Sequence, residues 1–155
     1  MYEHRYLQEI VLKCEVRERP TVKIRCGRDV AGYINDLLKS EHRECFVVVP
    51  VNARHEALGY RITAIGTTNA CPVAMSEVFL CAILTGAKAI VVCHNHPSGD
   101  PTPSVEDRRI TDRLTEAGEL LGCQLLDHLV LSESSFYSFA DGRRYGYTTP
   151  GEAEA

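Results

Sequence analysis

The residues best suited to chemistry in this sequence are two histidines that directly follow a run of apolar residues, in the segment AIVVCHNHPSGD. His94 and His96 are separated by one residue, so an extended backbone points both side chains the same way and turns Cys93 and Asn95 away. Neutral imidazole is the commonest metal ligand in proteins. An isolated H-x-H pair is more often two unrelated histidines, so the neighbouring residues decide between a metal site and a coincidence.

Asp107 can complete this pair as a third ligand, because it lies in the first turn of a helix predicted to begin after Ser104. A catalytic zinc ion typically has three protein ligands and one open position for water. Two plainer explanations exist: the helix dipole favours acidic residues in a first turn, and Ser104 with Asp107 matches a variant capping box. Because His94, His96 and Asp107 fall within fourteen residues after one apolar strand, we predict that these three side chains bind a zinc ion (Zn2+).

Hydrophobic periodicity indicates the elements that position these residues. Apolar, β-branched runs predict strands, and apolar residues at helical spacing predict helices, two of which end at Gly86 and Gly122. The predicted strands cover residues 6–16, 44–52, 57–68, 89–93 and 123–132, and the predicted helices cover residues 29–40, 74–85 and 105–121. This alternation, with hairpin-like pairs, predicts an α/β fold with a mixed sheet flanked by helices. An α+β fold is the alternative, and the strand order stays open.

Length and composition limit the class of protein. With 155 residues, of which 45% are hydrophobic and 25% charged, the chain fits a single globular domain. Residues 1–142 are predicted to form that domain, and the polar, glycine-containing residues 143–155 are predicted to form a flexible tail. No continuous apolar stretch suits a signal peptide or a membrane span, so we expect a cytoplasmic protein without membrane contact. The oligomeric state stays open.

The charge balance argues against nucleic acid as a partner. The chain has 17 lysines and arginines against 21 aspartates and glutamates, and the basic residues are interspersed with acidic ones. Binding to duplex DNA usually depends on a basic patch that contacts phosphates. We therefore predict that nucleic-acid binding is weak and non-specific at most.

The segment HNHPSGDPTPSVED resembles the metal signature of the JAB/MPN (JAMM) zinc metalloprotease superfamily. More narrowly, the chain is similar to the bacterial RadC family, from about Val22 to Gly142, including the segment LLDHLVLSESSFYSFADG. The resemblance implies a single JAB/MPN-like domain with a cytidine-deaminase-like layered architecture. It also implies a zinc-dependent hydrolase, a metallopeptidase or isopeptidase that uses a metal-activated water. Its substrates would be peptides or proteins, with ubiquitin-like conjugates among the candidates.

The resemblance also suggests which residues take part in catalysis besides the ligands. In the JAMM pattern a glutamate at the start of the strand after the first helix is the general base, and Glu44 matches that position. Ser104 corresponds to the serine that helps to stabilise the oxyanion of the tetrahedral intermediate. Glu56 and Glu77 are alternative bases. Glu56 lies in a predicted turn and Glu77 near a helix start, where an acidic residue needs no catalytic role.

Two questions stay open at the level of the sequence. A RadC-like protein could instead be a DNA repair-associated factor without peptidase activity, although the helix-hairpin-helix region common in such proteins is not visible here. Asp127 and His128 form a polar pair within an apolar strand, where burial costs free energy unless both side chains find partners. Such a pair indicates either a core hydrogen bond or a role beside the metal ligands.

Overall fold

Three helices and eight strands make up the described part of the computed structural model, which covers residues 10–15, 22–66 and 72–147. Every helix and strand predicted between residues 29 and 132 is present in the described ranges, although the predicted strand 57–68 is divided in two and its residues 67–68 lie outside them. No helix among these residues has both the length and the apolar character needed to cross a bilayer. In chain order the elements are β1 (Val22–Lys23), α1 (Gly27–Leu38), β2 (Cys45–Val51), β3 (Glu56–Ala57), β4 (Arg61–Ile65), α2 (Met75–Thr85), β5 (Ala89–Asn95), α3 (Val105–Leu121), β6 (Gln124–Leu131), β7 (Ser135–Ser138) and β8 (Arg143–Gly146).

The strands form one mixed sheet in the order β1-β3-β2-β5-β6-β7-β8, and β4 also pairs with β2. β2 and β5 run antiparallel at the centre. β5 and β6 run parallel, because α3 connects them as a crossover. The arrangement confirms the predicted α/β fold with a mixed sheet flanked by helices, and it gives the strand order that the sequence left open.

The side chains of the central strands alternate between two hydrophobic cores, one on each face of the sheet. On one face, odd-numbered residues of β2 and β5 pack against α1, whose buried residues are Val30, Ala31, Ile34 and Leu38. On the other face, even-numbered residues of β2 and β5 pack against α2 and α3, whose contributions are Val78, Phe79, Ala82, Ile110 and Leu114. The fold therefore has three layers, and the even-numbered His94 belongs to the face that α3 covers.

Two glycines and a serine set the ends of the helices as the sequence predicts. Gly86 and Gly122 follow α2 and α3 with φ of 66° each, a left-handed conformation that glycine adopts at little cost. Ser104 is the N-cap of α3, and its side chain accepts a hydrogen bond from the backbone of Asp107. α3 therefore begins directly after the loop that follows the two histidines.

The predicted first strand is not formed where the structure describes it. Residues 10–15 have no regular secondary structure, and Ile10, Val11 and Leu12 are exposed at 84%, 66% and 66%. Residues 6–9 and 16 of that prediction lie outside the described residues. An apolar run becomes a strand only when a partner strand accepts its backbone hydrogen bonds, and residues 10–15 pair with none of the described strands.

The sheet continues past the predicted end of the domain at Gly142. β8 (Arg143–Gly146) pairs antiparallel with β7 along its whole length. These four residues therefore belong to the fold and not to the predicted tail, of which residues 148–155 lie outside the described residues. β8 was not predicted because it is an edge strand with mostly exposed side chains. Such strands are commonly polar and lack the apolar pattern that indicates a strand.

Gly118 in α3 is expected to tolerate no added methyl group. A Cβ atom at Gly118 would lie 2.5 Å from the backbone oxygen of Cys123, whereas one at Gly32 in α1 would have no neighbour within 4 Å. Gly118→Ala should lower the free energy of unfolding by about 1–3 kcal/mol through overpacking. Gly32→Ala should raise it by about 0.5–1 kcal/mol, because alanine is the better helix former. Denaturant titrations of both variants measure these free energies of unfolding. Changes of equal sign and size in the two variants would contradict the prediction.

Candidate metal centre

β5 carries the two histidines to one edge of the sheet. His94 lies within β5 and is buried, and His96 follows directly after the last residue of the strand. The backbone N–H of His96 donates to the carbonyl oxygen of Leu131 at 2.8 Å. Its Nδ1 donates to the carbonyl oxygen of Asp100 at 2.9 Å. Because a carbonyl can only accept, Nδ1 carries a proton, and in the neutral ring the lone pair of Nε2 faces His94.

The first turn of α3 brings Asp107 against both imidazoles. Ser104 Oγ accepts from the N–H of Asp107 at 3.1 Å, and Asp107 Oδ2 accepts from the N–H of Ser104 at 2.7 Å. The Asp107 side chain is buried at the positive end of the helix dipole, which favours its negative charge. The capping explanation and the ligand explanation are therefore compatible, since Oδ2 caps the helix while Oδ1 faces His94.

The three predicted ligands converge on one point. His94 Nε2 lies 3.0 Å from His96 Nε2 and 3.1 Å from Asp107 Oδ1, and His96 Nε2 lies 3.4 Å from Asp107 Oδ2. A tetrahedral zinc ion with bonds of about 2.0–2.1 Å needs ligand atoms roughly 3.3 Å apart. Both the separations and the combination of two imidazoles with a carboxylate fit such an ion. His94, His96 and Asp107 thus form a group that can hold a metal ion.

The charges around this group keep Asp107 ionised. Burial by itself raises the pKa of Asp107, but the proximity of His94 and His96 holds that pKa well below the usual carboxyl range. Burial lowers the pKa of His96, yet its hydrogen bonds to Asp107 and to the carbonyl of Asp100 outweigh burial and leave the pKa raised. A carboxylate that stays ionised beside two imidazoles attracts a cation.

Glu44 lies at the same end of the sheet as the three ligands. β2 begins at the next residue, Cys45, and runs antiparallel to β5 with Phe46 opposite His94. The start of β2 therefore adjoins the end of β5. Glu44 is half-buried, and its negative charge contributes to the raised pKa of His96.

Asn95 is a part of the site that the sequence did not reveal. As predicted, its side chain points away from the ligands, but it reaches the start of β2. Its Oδ1 accepts from the N–H of Cys45 at 2.7 Å, and its Nδ2 donates to the carbonyl oxygen of Arg43 at 2.9 Å. An amide offers one acceptor and two donors, so Asn95 anchors the backbone on both sides of Glu44. No local pattern signals this contact, because it depends on the pairing of β2 with β5.

The two alternative bases lie elsewhere. Glu56 begins β3, beyond the far end of β2, where its carboxylate accepts from Nδ2 of Asn52 at 2.8 Å. This end is about 17 Å along the sheet from the ligands, given a rise of about 3.3 Å per residue. Glu77, in the first turn of α2, accepts from Nη2 of Arg61 at 2.7 Å on the surface. Of the three candidates, Glu44 is the one whose strand end adjoins the ligands.

Ser104 is exposed at the start of α3, next to the predicted ligand Asp107. In the helix cap its oxygen is the acceptor, at 3.1 Å from the N–H of Asp107. A hydroxyl group can accept and donate at the same time. Ser104 can therefore cap the helix and still donate its own proton to another oxygen.

The Asp127–His128 pair divides between the two faces of the sheet. Asp127 points toward α1 and accepts from Ser138 Oγ at 2.6 Å and from the N–H of Ala140 at 2.9 Å. His128 points to the opposite face, where its Nε2 lies 2.8 Å from Nδ1 of His94. Burial, and then the nearby charge of His94, lower the pKa of His128 well below its ordinary value. Asp127 thus makes core hydrogen bonds, and His128 contacts the predicted ligand His94.

A three-layered α/β domain with two histidines at the end of a central strand and an aspartate in the next helix can hold a metal ion at that end of the sheet. The family model of the RadC-like JAB domain matches residues 24–145, which include every residue of the site. The chain therefore belongs to the RadC-like JAB domain family.

Several proteins named UPF0758 are similar to this chain. The UPF0758 protein of Moorella thermoacetica is 43% identical over 118 residues, which are 76% of this chain and 52% of that protein. The UPF0758 protein of Alkaliphilus metalliredigens is 40% identical over 119 residues, or 77% of this chain and 51% of that protein. The UPF0758 protein of Methanosarcina acetivorans is 35% identical over 124 residues, which are 80% of this chain and 54% of that protein. The chain thus spans about half the length of the curated relatives it matches.

Proposed function

We propose that this domain is a zinc-dependent hydrolase that cleaves peptide or isopeptide bonds. The observation that carries the proposal is the convergence of His94, His96 and Asp107, whose ligand atoms lie 3.0 to 3.4 Å apart. Three protein ligands that leave a fourth position for water or substrate are typical of catalytic zinc sites, whereas structural sites are closed by four protein ligands. Membership of a JAB domain family supports the same class of reaction.

The chain supplies a group for each step that hydrolysis requires. A zinc ion held by the three ligands would polarise the substrate carbonyl and lower the pKa of water toward neutrality. Glu44 takes a proton from the attacking water and passes it to the leaving nitrogen. Ser104 donates its hydroxyl proton to the oxygen that becomes negatively charged.

Peptides and proteins, including ubiquitin-like conjugates, are the substrates we propose. The support is the resemblance of the HNHPSGDPTPSVED segment to the JAMM metalloproteases, together with the charge of the chain. A formal net charge of −4 gives no general attraction for a polyanion. Nucleic-acid binding usually depends on clustered basic residues, whereas the lysines and arginines of this sequence are interspersed with acidic residues.

Metal analysis of the purified protein is the first test of this proposal. We expect about one zinc ion per chain, measured by elemental analysis after desalting. Removal of the ion with a chelator should lower the melting temperature, because a ligand that binds only the folded state stabilises it. Added zinc should restore the melting temperature. Protein that carries no metal and gains no thermal stability from zinc would contradict the proposal.

A substrate panel tests the catalytic part separately. Zinc-loaded protein should hydrolyse at least one member of a panel of short peptides and ubiquitin-like fusions, and chelated protein should hydrolyse none. If the loaded protein cleaves no member yet binds DNA tightly at physiological salt, the DNA repair-associated alternative replaces the hydrolase.

A further inference from the structure

A chain of hydrogen bonds connects the backbone of one metal ligand to the imidazole of another. Thr111 Oγ1 donates to the carbonyl oxygen of Asp107 at 2.7 Å. The same Oγ1 lies 2.7 Å from Nδ1 of His128, and Nε2 of His128 lies 2.8 Å from Nδ1 of His94. The chain thus joins α3, β6 and β5, which carry Thr111, His128 and His94.

The donor and acceptor of each hydrogen bond can be assigned by starting from the carbonyl oxygen of Asp107 on α3. A carbonyl oxygen can only accept, so the Thr111 hydroxyl uses its one proton on Asp107. Its Oγ1 is then the acceptor for His128, which places a proton on Nδ1 of that ring. Nε2 of a neutral His128 keeps a lone pair that accepts from His94.

Metal binding by His94 independently requires the same positions for the protons. An imidazole binds a cation through an unprotonated nitrogen, and in His94 that nitrogen is Nε2, which faces His96 and Asp107. The proton of His94 is therefore on Nδ1, where it donates to Nε2 of His128. Starting from either end, His128 has its proton on Nδ1 and its lone pair on Nε2.

The ring of His128 is held where it can make both bonds. It is 0% exposed. Phe139 stacks on it at 4.9 Å and Phe46 contacts it edge-on at 5.6 Å between ring centroids. A histidine that served packing alone could be replaced by an apolar residue, without the cost of burying two ring nitrogens. Here both nitrogens are used.

We propose that His128, oriented by Thr111, is a positioning residue that keeps the proton of His94 on Nδ1 and so directs the lone pair of His94 Nε2 at the metal ion. This inference rests on the proposed zinc site and adds a second layer of residues to it. Hydrogen bonds to metal-binding histidines typically contribute 10–100-fold to metal affinity. The hydrogen-bonded chain also fixes the position of His94 relative to Asp107, because it ends on the backbone of Asp107.

Thr111→Val is the sharpest test, because valine keeps the shape of threonine and the substitution touches neither metal-binding ring. Zinc affinity, measured by competition with a chromogenic chelator, should fall by about 10-fold or more. Thr115→Val is the matched control. Thr115 Oγ1 donates to the carbonyl oxygen of Thr111 at 2.9 Å, the same bond one turn later on α3, but Thr115 is exposed and forms no hydrogen bond with a histidine of the described residues. Its replacement should leave zinc affinity unchanged.

Substitution of His128 itself gives the second test. His128→Leu should weaken zinc affinity by about 10–100-fold. His128→Gln should recover part of the loss, because an amide can accept from His94 and donate to Thr111. Thermal unfolding of the metal-free variants checks that the fold is retained. Should His128→Leu fail to fold, Thr111→Val decides, since its effect on packing is small.

The tautomer can be measured directly by 15N NMR of the zinc-loaded protein. We expect the proton of His128 on Nδ1 in the wild type, and a mixture of tautomers in Thr111→Val. Wild-type zinc affinity in both Thr111→Val and His128→Leu, or a proton on Nε2 of His128, would overturn this inference while leaving the zinc site in place. Wild-type protein that binds no zinc would overturn the proposed function and the role of His128 with it.

Discussion

Glu44→Gln is expected to lower the rate of hydrolysis by about 10²–10⁴-fold, the usual contribution of a positioned acid–base group. Glutamine keeps the size and polarity of the side chain but cannot take up a proton. The backbone anchors that Asn95 makes on Arg43 and Cys45 are untouched by this change. Zinc content and melting temperature should therefore stay close to those of the wild type, measured beside the rate on the best member of the substrate panel.

Two other glutamates serve as matched controls for Glu44. Glu56→Gln removes a charge beside Asn52 beyond the far end of β2, where glutamine can still accept the hydrogen bond, and Glu77→Gln removes the charge of a surface ion pair with Arg61. Both variants should keep most of the activity. If Glu44→Gln hydrolyses at the wild-type rate while either control loses activity with its zinc retained, the base is misassigned. The zinc site itself would be unaffected by that result.

The convergence of His94, His96 and Asp107 could be predicted because these residues are close in sequence and each depends on a local rule. Alternation along β5 places His94 and His96 on one side, and the cap at Ser104 sets the position of Asp107 in α3. Both rules act within a few residues. The grouping of these three side chains could therefore be predicted from the sequence, although an isolated H-x-H pair is weak evidence of a metal site.

Residues that reach the site through pairing between distant strands could not be found this way. Glu44 adjoins the ligands because β2 runs antiparallel to β5, and only the family resemblance pointed to it. Asn95 and His128 bond across strands, and their partners follow from the register of β5 with β2 and β6. Local periodicity contains no information on that register.

The two errors in the predicted fold have a related cause. Residues 10–15 have the apolar pattern of a strand but no described partner, whereas β8 has a polar pattern and pairs with β7. Whether a segment becomes a strand depends on a free sheet edge as much as on its own residues. The central elements were predicted well because their apolar patterns are dictated by burial on both faces of the sheet.

Asp107→Ala is expected to weaken zinc binding by more than the roughly 100-fold that loss of a supporting hydrogen bond costs. The change removes the negatively charged ligand and leaves two neutral imidazoles, so elemental analysis after desalting should find little zinc. It also removes the acceptor for the N–H of Ser104 at 2.7 Å. The metal-free variant should therefore be less stable by about 1 kcal/mol, the typical cost of a lost helix cap.

Asp107→Asn and Glu106→Gln separate the ligand role of Asp107 from its role in the helix cap. Asparagine can still accept from the N–H of Ser104, so Asp107→Asn should keep much of the capping but still lose most of the zinc affinity, because the amide carries no charge. Glu106 lies in the same first turn with a side chain that is 65% exposed, and it pairs only with Arg109. Glu106→Gln loses a comparable interaction with the helix dipole and should retain about one zinc ion per chain. If Asp107→Ala and Asp107→Asn both retain zinc like the wild type, Asp107 is a helix cap and no ligand.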